Sequence, residues 1–306
     1  MPSVDVAGEF ETIRRLLAPL AHPEWGRGLL DDVAVVPSRT GYDLVLTKDS
    51  IVEGVHFLPE DPMDTVARKL LRVNLSDLAA KGAEPFGYML GCFWSDRCGW
   101  PEREAFAAGL KRDQTEFGVA LLGGDTVTTP GPASFSLTML GWVPKGRAVG
   151  RDGARPDDVV LVTGVIGDGY LGLQAAQERL SLEPERVMAL VDHYRTPMPR
   201  LAFAEQIRDL ATAAIDVSDG LVAGPAGLGT RPGLAGRAGR PPGRPGPAGH
   251  RRRRLRDCLH GPRRRRGRTA SRRRAPAPAP DDHRPGGRGD RGDRAQRRRH
   301  RRDWPA

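Results

Sequence analysis

Cysteine is scarce in this chain, with three in 306 residues. Cys92, Cys98 and Cys258 show no CxxC spacing and no companion histidine cluster. That argues against a structural zinc site, and it leads to the expectation of a reducing, cytoplasmic setting. Long apolar runs are missing too: no uncharged stretch approaches a membrane span. The N-terminus has no basic flank followed by an apolar core, so no signal peptide is expected. There is no GxxxxGKS or GxxxxGKT loop, no kinase-type glycine loop with HRD and DFG companions, and no HExxH. The common nucleotide-binding and zinc-hydrolase classes are thereby set aside.

What is abundant is unevenly spread. A net charge of +10 suggests a nucleic-acid partner until the chain is divided. Residues 1–223 hold 22 Lys+Arg against 32 Asp+Glu, whereas residues 224–306 hold 26 Arg, no Lys and 6 Asp. An acidic globular part is joined to an Arg-rich tail. The tail has no Ile, Val, Phe, Met or Tyr, so it buries too little apolar surface to offset the entropy of ordering, and disorder is expected there. Three readings compete for it. A GC-rich coding sequence read out of frame yields mostly Gly, Pro, Arg and Ala, and the change comes abruptly just after DVSDGLVA. A basic arm would attract nucleic-acid phosphate through Arg251–Arg254 and Arg263–Arg266, without base readout, since Trp304 is its one aromatic residue for stacking. A plain solvated linker is the third.

Within residues 1–223 the patterning is that of a mixed α/β (α+β) protein. GEFETIRRLLAPLA (8–21) reads as an opening helix, and DLVLT (43–47) as a strand delivering Asp49 at its end. Residues 65–81 form a helix with Val66, Leu70, Val73 and Leu78 on one face and Gly82 as its stop. Strands over 85–94, 119–123 and 133–143, with a helix near 103–117, complete a first domain over 1–150. The turn-rich GRAVGRDGARPDD (146–158) reads as the crossing to a second domain. There, strands VVLVTG (159–164) and AAIDVSD (213–219) flank helices near 171–179, 184–194 and 199–209.

Aspartates recur where apolar runs meet turns: Asp31–Asp32, Asp49, Asp77, Asp125, Asp216 and Asp219. Gathered carboxylates cost desolvation and mutual repulsion unless a cation offsets them, and hard oxygen ligands suit Mg²⁺ on nucleotide phosphates. Thr47 and Asp49 stand two apart on a strand and so share a face. Asn74 and Asp77 share a face near a helix C-terminus, where the dipole is already negative, so a cation is expected nearby. GGDT (123–126) follows a buried strand and allows close backbone approach to a phosphate. Each piece alone also suits an ordinary turn or N-cap, and His56 alone suits a structural role.

In combination, GEF, DDVAV (31–35), TKDSIVEGVHF (47–57), NLSDLAAKGAEP (74–85), GGDT, RDGARPDD (151–158) and DVSDGL (216–221) resemble the thiamine-monophosphate kinase family of the aminoimidazole ribonucleotide synthetase superfamily. The resemblance covers about residues 8–223 and implies a two-domain synthetase-like fold and a homodimer joined through N-terminal domains. It implies ATP-dependent phosphorylation of thiamine monophosphate to thiamine diphosphate with several Mg²⁺ ions. By the same resemblance Asp32, Thr47, Asp49, Asp77, Asp125, Asp216 and Asp219 would hold the metals, and His56 would contact the thiamine phosphate. Gly124, Asp125, Arg151 and Ser218 would contact ATP. Lys48 stands where the family often has another hydroxyl ligand. Gly28, Leu29 and Leu30 replace the usual Gly-x-Gly before the acidic pair, and nothing after Ala223 resembles the rest of the second domain. Two rivals remain at this point: another ATP-dependent enzyme of the superfamily, and a nucleic-acid-binding protein acting through its tail.

Overall fold

A computed structural model describes residues 8–218 of the chain. Asp219 and the Arg-rich tail, with the readings placed on them, lie outside the described residues.

The centre is a four-stranded sheet built from β1 (Tyr42–Val52), β2 (Glu84–Ser95), β3 (Ala120–Thr129) and β4 (Ser134–Pro144), in the order β1-β4-β2-β3. β4 runs antiparallel to both neighbours, while β2 and β3 run parallel. The parallel pair needs a crossover, and α3 (Trp100–Phe117) provides it. α2 (Met63–Ala80) links β1 to β2. It stops where expected, with Gly82 at φ 69° just beyond Lys81.

One face of the sheet is sealed by these helices. Phe135, Leu137, Met139 and Val143 alternate inward along β4 and meet Leu70, Leu71, Leu75 and Leu78 of α2, with Phe106 and Leu110 of α3, in one buried cluster. Trp94, Phe106 and Phe135 pack ring against ring, at centroid separations of 4.4 to 5.4 Å. An ionic knot joins the two helices. Asp113 is fully buried and accepts from Arg72 Nε at 2.6 Å, Arg72 Nη2 at 2.9 Å and Arg68 Nε at 3.0 Å. The opposite face is open, with Leu44, Leu46, Met89, Phe93 and Val127 all exposed there.

Several expectations need correction. β1 continues to Val52, so Asp49 lies inside a strand rather than at its end. β3 continues to Thr129, so GGDT is strand and not the turn after one. The opening segment is not one regular helix: α1 (Glu9–Thr12) widens into a π turn over Ile13–Leu17 and tightens to a 3₁₀ turn over Ala18–Leu20, where Pro19 removes an amide donor. After β4 come α4 (Asp168–Ala176), α5 (Pro184–Arg195), a 3₁₀ turn over Leu201–Phe203 and α6 (Ala204–Leu210), close to the three helices expected. The strands expected over 159–164 and 213–219 are absent among the described residues. A strand needs a ladder partner, and neither run finds one here. Val159, Val160 and Leu161 consequently stay 73 to 80 % exposed. No described helix is long and apolar enough to cross a membrane.

Candidate functional site

The helix-covered face of β1 gives the site its first two members. Alternation along the strand turns Leu44, Leu46 and Lys48 outward, and brings Val45, Thr47, Asp49 and Ile51 to the side where α2 lies. Thr47 Oγ1 donates to Asp77 Oδ2 at 2.5 Å. The Asp49 backbone N–H donates to Asn74 Oδ1 at 3.1 Å, and Asn74 Nδ2 in turn donates to the Leu70 carbonyl at 2.9 Å. Asn74 and Asp77, one helical turn apart, therefore dock on alternate residues of one strand. The periodicities of helix and strand coincide at this crossing.

Asp216 joins them from the far end of the described chain. Its carboxyl is pushed up to about 6, first by burial, then by the charge of Asp77 and a hydrogen bond shared with it, then by Asp49, with Lys81 opposing. Three aspartates thus feel one another across β1, α2 and residue 216. The cation expected near the C-terminus of α2 is Lys81, four residues beyond Asp77. Its Nζ donates to the Ala214 carbonyl at 2.9 Å, which ties the 214–216 segment to the helix end. The Lys81 amine is pulled down by burial and by the neighbouring Arg151 guanidinium, while Asp77 and Asp216 push it up. Asn74 shared a face with Asp77 in the sequence but its grip on Asp49 was not anticipated. Lys81 had a legible signal, the i,i+4 spacing from Asp77.

Other site residues are placed apart. Asp32 is exposed on the loop after Leu30, and its carboxyl makes no hydrogen bond or ion pair among the described residues. Its neighbour Asp31 is bound by Arg27, whose guanidinium holds that carboxyl below the ordinary range. Asp125 pairs with Gly91 across the β2/β3 ladder and is exposed beside Val127, on the open face of the sheet. Lys48 faces the same open side. Gly124 has φ 153°, and a Cβ there would lie 1.8 Å from the Leu90 carbonyl oxygen, so packing alone requires glycine. His56 is exposed in the turn after β1, its Nδ1 accepting from the Val52 N–H at 3.1 Å. Ser218 is exposed, and Asp219 lies outside the described residues. The structure therefore brings Thr47, Asp49, Asp77 and Asp216 together, with Lys81 and Arg151 alongside, and does not bring Asp32 or Asp125 to them. As placed, no three His, Cys, Asp or Glu side chains among the described residues form a metal-enclosing group.

A mixed four-stranded sheet flanked on one face by helices, with acidic residues meeting at the end of α2, places the chain in the α+β class. The profile for the AIR synthase related protein, N-terminal domain, matches residues 30–143. The thiamine-monophosphate kinase of Caulobacter vibrioides is 51 % identical over 223 residues, 72 % of this chain and 62 % of that one. The thiamine-monophosphate kinase of Salmonella typhimurium is 39 % identical over 219 residues, 70 % of this chain and 66 % of that one. Among solved structures, AaThiL complexed with AMPPCP and TMP superposes with a TM-score of 0.58 at 32 % identity, covering 72 % of this chain and 69 % of that one. The chain belongs to the thiamine-monophosphate kinase family of AIR synthase-related proteins. It spans slightly under two thirds of the length of the first two relatives.

Proposed function

We propose that this chain derives from an enzyme that transfers the γ-phosphoryl group of ATP to the phosphate of thiamine monophosphate, giving thiamine diphosphate and ADP. The observation that carries this reading is the meeting of Thr47, Asp49, Asp77 and Asp216 at the end of α2. It is joined by family membership and by the AMPPCP and TMP bound in AaThiL. In the transfer an oxygen of the acceptor phosphate attacks the γ-phosphorus in line as the β,γ bridging P–O bond breaks. The protein's part is positioning and charge stabilisation.

The donor set fits Mg²⁺: carboxylate and hydroxyl oxygens, with the Asp77 charge close enough to push the Asp216 carboxyl up. Asp49, Asp77 and Asp216, with Thr47, would hold the ion, which when bound supplies charge neutralisation on the phosphates. Thr47 fixes the Asp77 rotamer by its hydrogen bond, and Asn74 fixes the Asp49 backbone. Arg151, exposed beside Lys81, is free to meet an anionic oxygen. In our reading Asp32, Asp125 and Asp219 are further metal ligands, and Gly124, Asp125 and Ser218 contact ATP.

The open sheet face supports a homodimer. Leu44, Leu46, Met89, Phe93 and Val127 form an apolar patch that a second copy would cover, and Asp125 lies on that same face. We read residues 1–150 as the ATP, Mg²⁺ and dimerisation domain, and 151–223 as an incomplete second domain. The exposed run Val159–Val162 supports the latter. Two buried free cysteines, Cys92 and Cys98, suit a cytoplasmic setting.

The test is direct. Purified full chain is incubated with ATP, MgCl₂ and thiamine monophosphate, and products are separated chromatographically. Thiamine diphosphate formed in a Mg²⁺-dependent manner supports the reading. Turnover only of a different acceptor contradicts the substrate assignment.

A further inference from the structure

His56 is held by more than its ring. Its N–H donates to the Val52 carbonyl at 2.9 Å, and its own carbonyl accepts from Lys69 Nζ on α2 at 2.8 Å. Because ring Nδ1 accepts from the Val52 N–H, the proton of the neutral imidazole sits on Nε2, as a donor directed away from the turn.

Lys69 is an unusual choice for such a tether. Its ammonium lies 3.5 Å from the centroid of the Tyr194 ring on α5, and it makes no ion pair among the described residues. Burial pulls the amine down to about 8, with Asp61 opposing and Arg195 assisting. One carbonyl and one aromatic face replace the water it gave up. The other end of the segment is clamped as well. Asp61, itself buried, accepts from the Leu58 N–H at 2.8 Å and from Arg195 Nε at 2.7 Å, and the Tyr194 hydroxyl lies against it. Residues 56–61 are therefore gripped by α2 at one end and α5 at the other. A turn needing only an anchored carbonyl could use a backbone amide or water. A partly desolvated cation makes a stronger, charge-assisted bond to that carbonyl, and so a better-defined ring.

We propose that Lys69 is a positioning residue: by gripping the His56 carbonyl over the Tyr194 ring, it fixes the imidazole with Nε2–H presented to the phosphate of an organic phosphate ester. The substrate side of this rests on His56 being the thiamine-phosphate contact; the positioning side does not.

The experiment uses the full chain, ¹⁵N-labelled, with the His56 imidazole signals identified by their loss in His56→Gln. Long-range ¹H–¹⁵N spectra of the parent should show a pyridine-like Nδ1 and a pyrrole-like Nε2. Lys69→Met should average the two nitrogens, and Lys69→Arg should keep them distinct. Calorimetric titration with thiamine monophosphate should show binding about tenfold weaker in Lys69→Met, the factor one charge-assisted hydrogen bond carries, and restored in Lys69→Arg. Unchanged His56 signals in a folded Lys69→Met protein overturn the proposal. Should that variant fail to fold, Tyr194→Leu removes the ring platform and keeps the amine, and unchanged His56 signals there overturn it equally. A parent that binds no thiamine monophosphate, while Lys69→Met still averages the imidazole, supports the positioning and contradicts the substrate assignment alone.

Discussion

Asp77 and Asp216, far apart in the chain, meet at the end of α2, where burial and the neighbouring charge of Asp77 together push the Asp216 carboxyl up. A divalent cation held between them would offset that repulsion.

A pH dependence follows. Asp216 in the folded chain titrates near 6 against 3.8 ordinarily, so between those values the folded state binds more protons than the unfolded one. A raised carboxyl pKa makes stability fall as pH rises through that window. The group is partly open to solvent, so the loss is discounted to roughly 1 kcal/mol. Urea unfolding at pH 4.5 and pH 7, without divalent ions, should show this decline in the parent and a flatter profile in Asp216→Asn.

Gly124→Ala should destabilise the protein severely. The new methyl would collide with the Leu90 backbone in the neighbouring strand, at a φ of 153° that L-residues avoid. A cost of roughly 3 kcal/mol is expected from combined strain and overpacking. Thermal unfolding should register it as a marked drop in midpoint, or as loss of soluble protein.

Arg72→Ala strips Asp113 of two of its three hydrogen bonds and leaves a carboxylate buried between α2 and α3. Breaking such a pair costs about 3–5 kcal/mol. The paired change Arg72→Met with Asp113→Leu should recover much of it, which a double-mutant cycle in urea would measure.

Much of this was legible in the residues. The two-residue spacing of Thr47 and Asp49 and the three-residue spacing of Asn74 and Asp77 give their faces directly, and the docking of one face on the other follows from the crossing of α2 over β1. Asp125 was not placeable that way. Its face depends on which side of β3 the helices cover and on a register shift between Tyr88 and Met89 in the partner strand. Both are tertiary facts. The run Val159–Val162 has strand-forming residues, but ladder hydrogen bonds need a neighbour that propensity cannot supply. The left-handed backbone at Arg27 and Leu29, φ 48° and 57°, had no sequence signal, since neither is glycine.

The convergence of acidic side chains on a metal-bound nucleotide is tested most directly by calorimetric titration of AMPPCP into the full chain, with and without MgCl₂. We expect uptake that requires Mg²⁺, is weakened at least tenfold in Asp77→Asn and Asp216→Asn, and is little changed in the distant surface variant Arg14→Ala. Equal nucleotide binding with and without Mg²⁺, or binding indifferent to both aspartate changes, would contradict it.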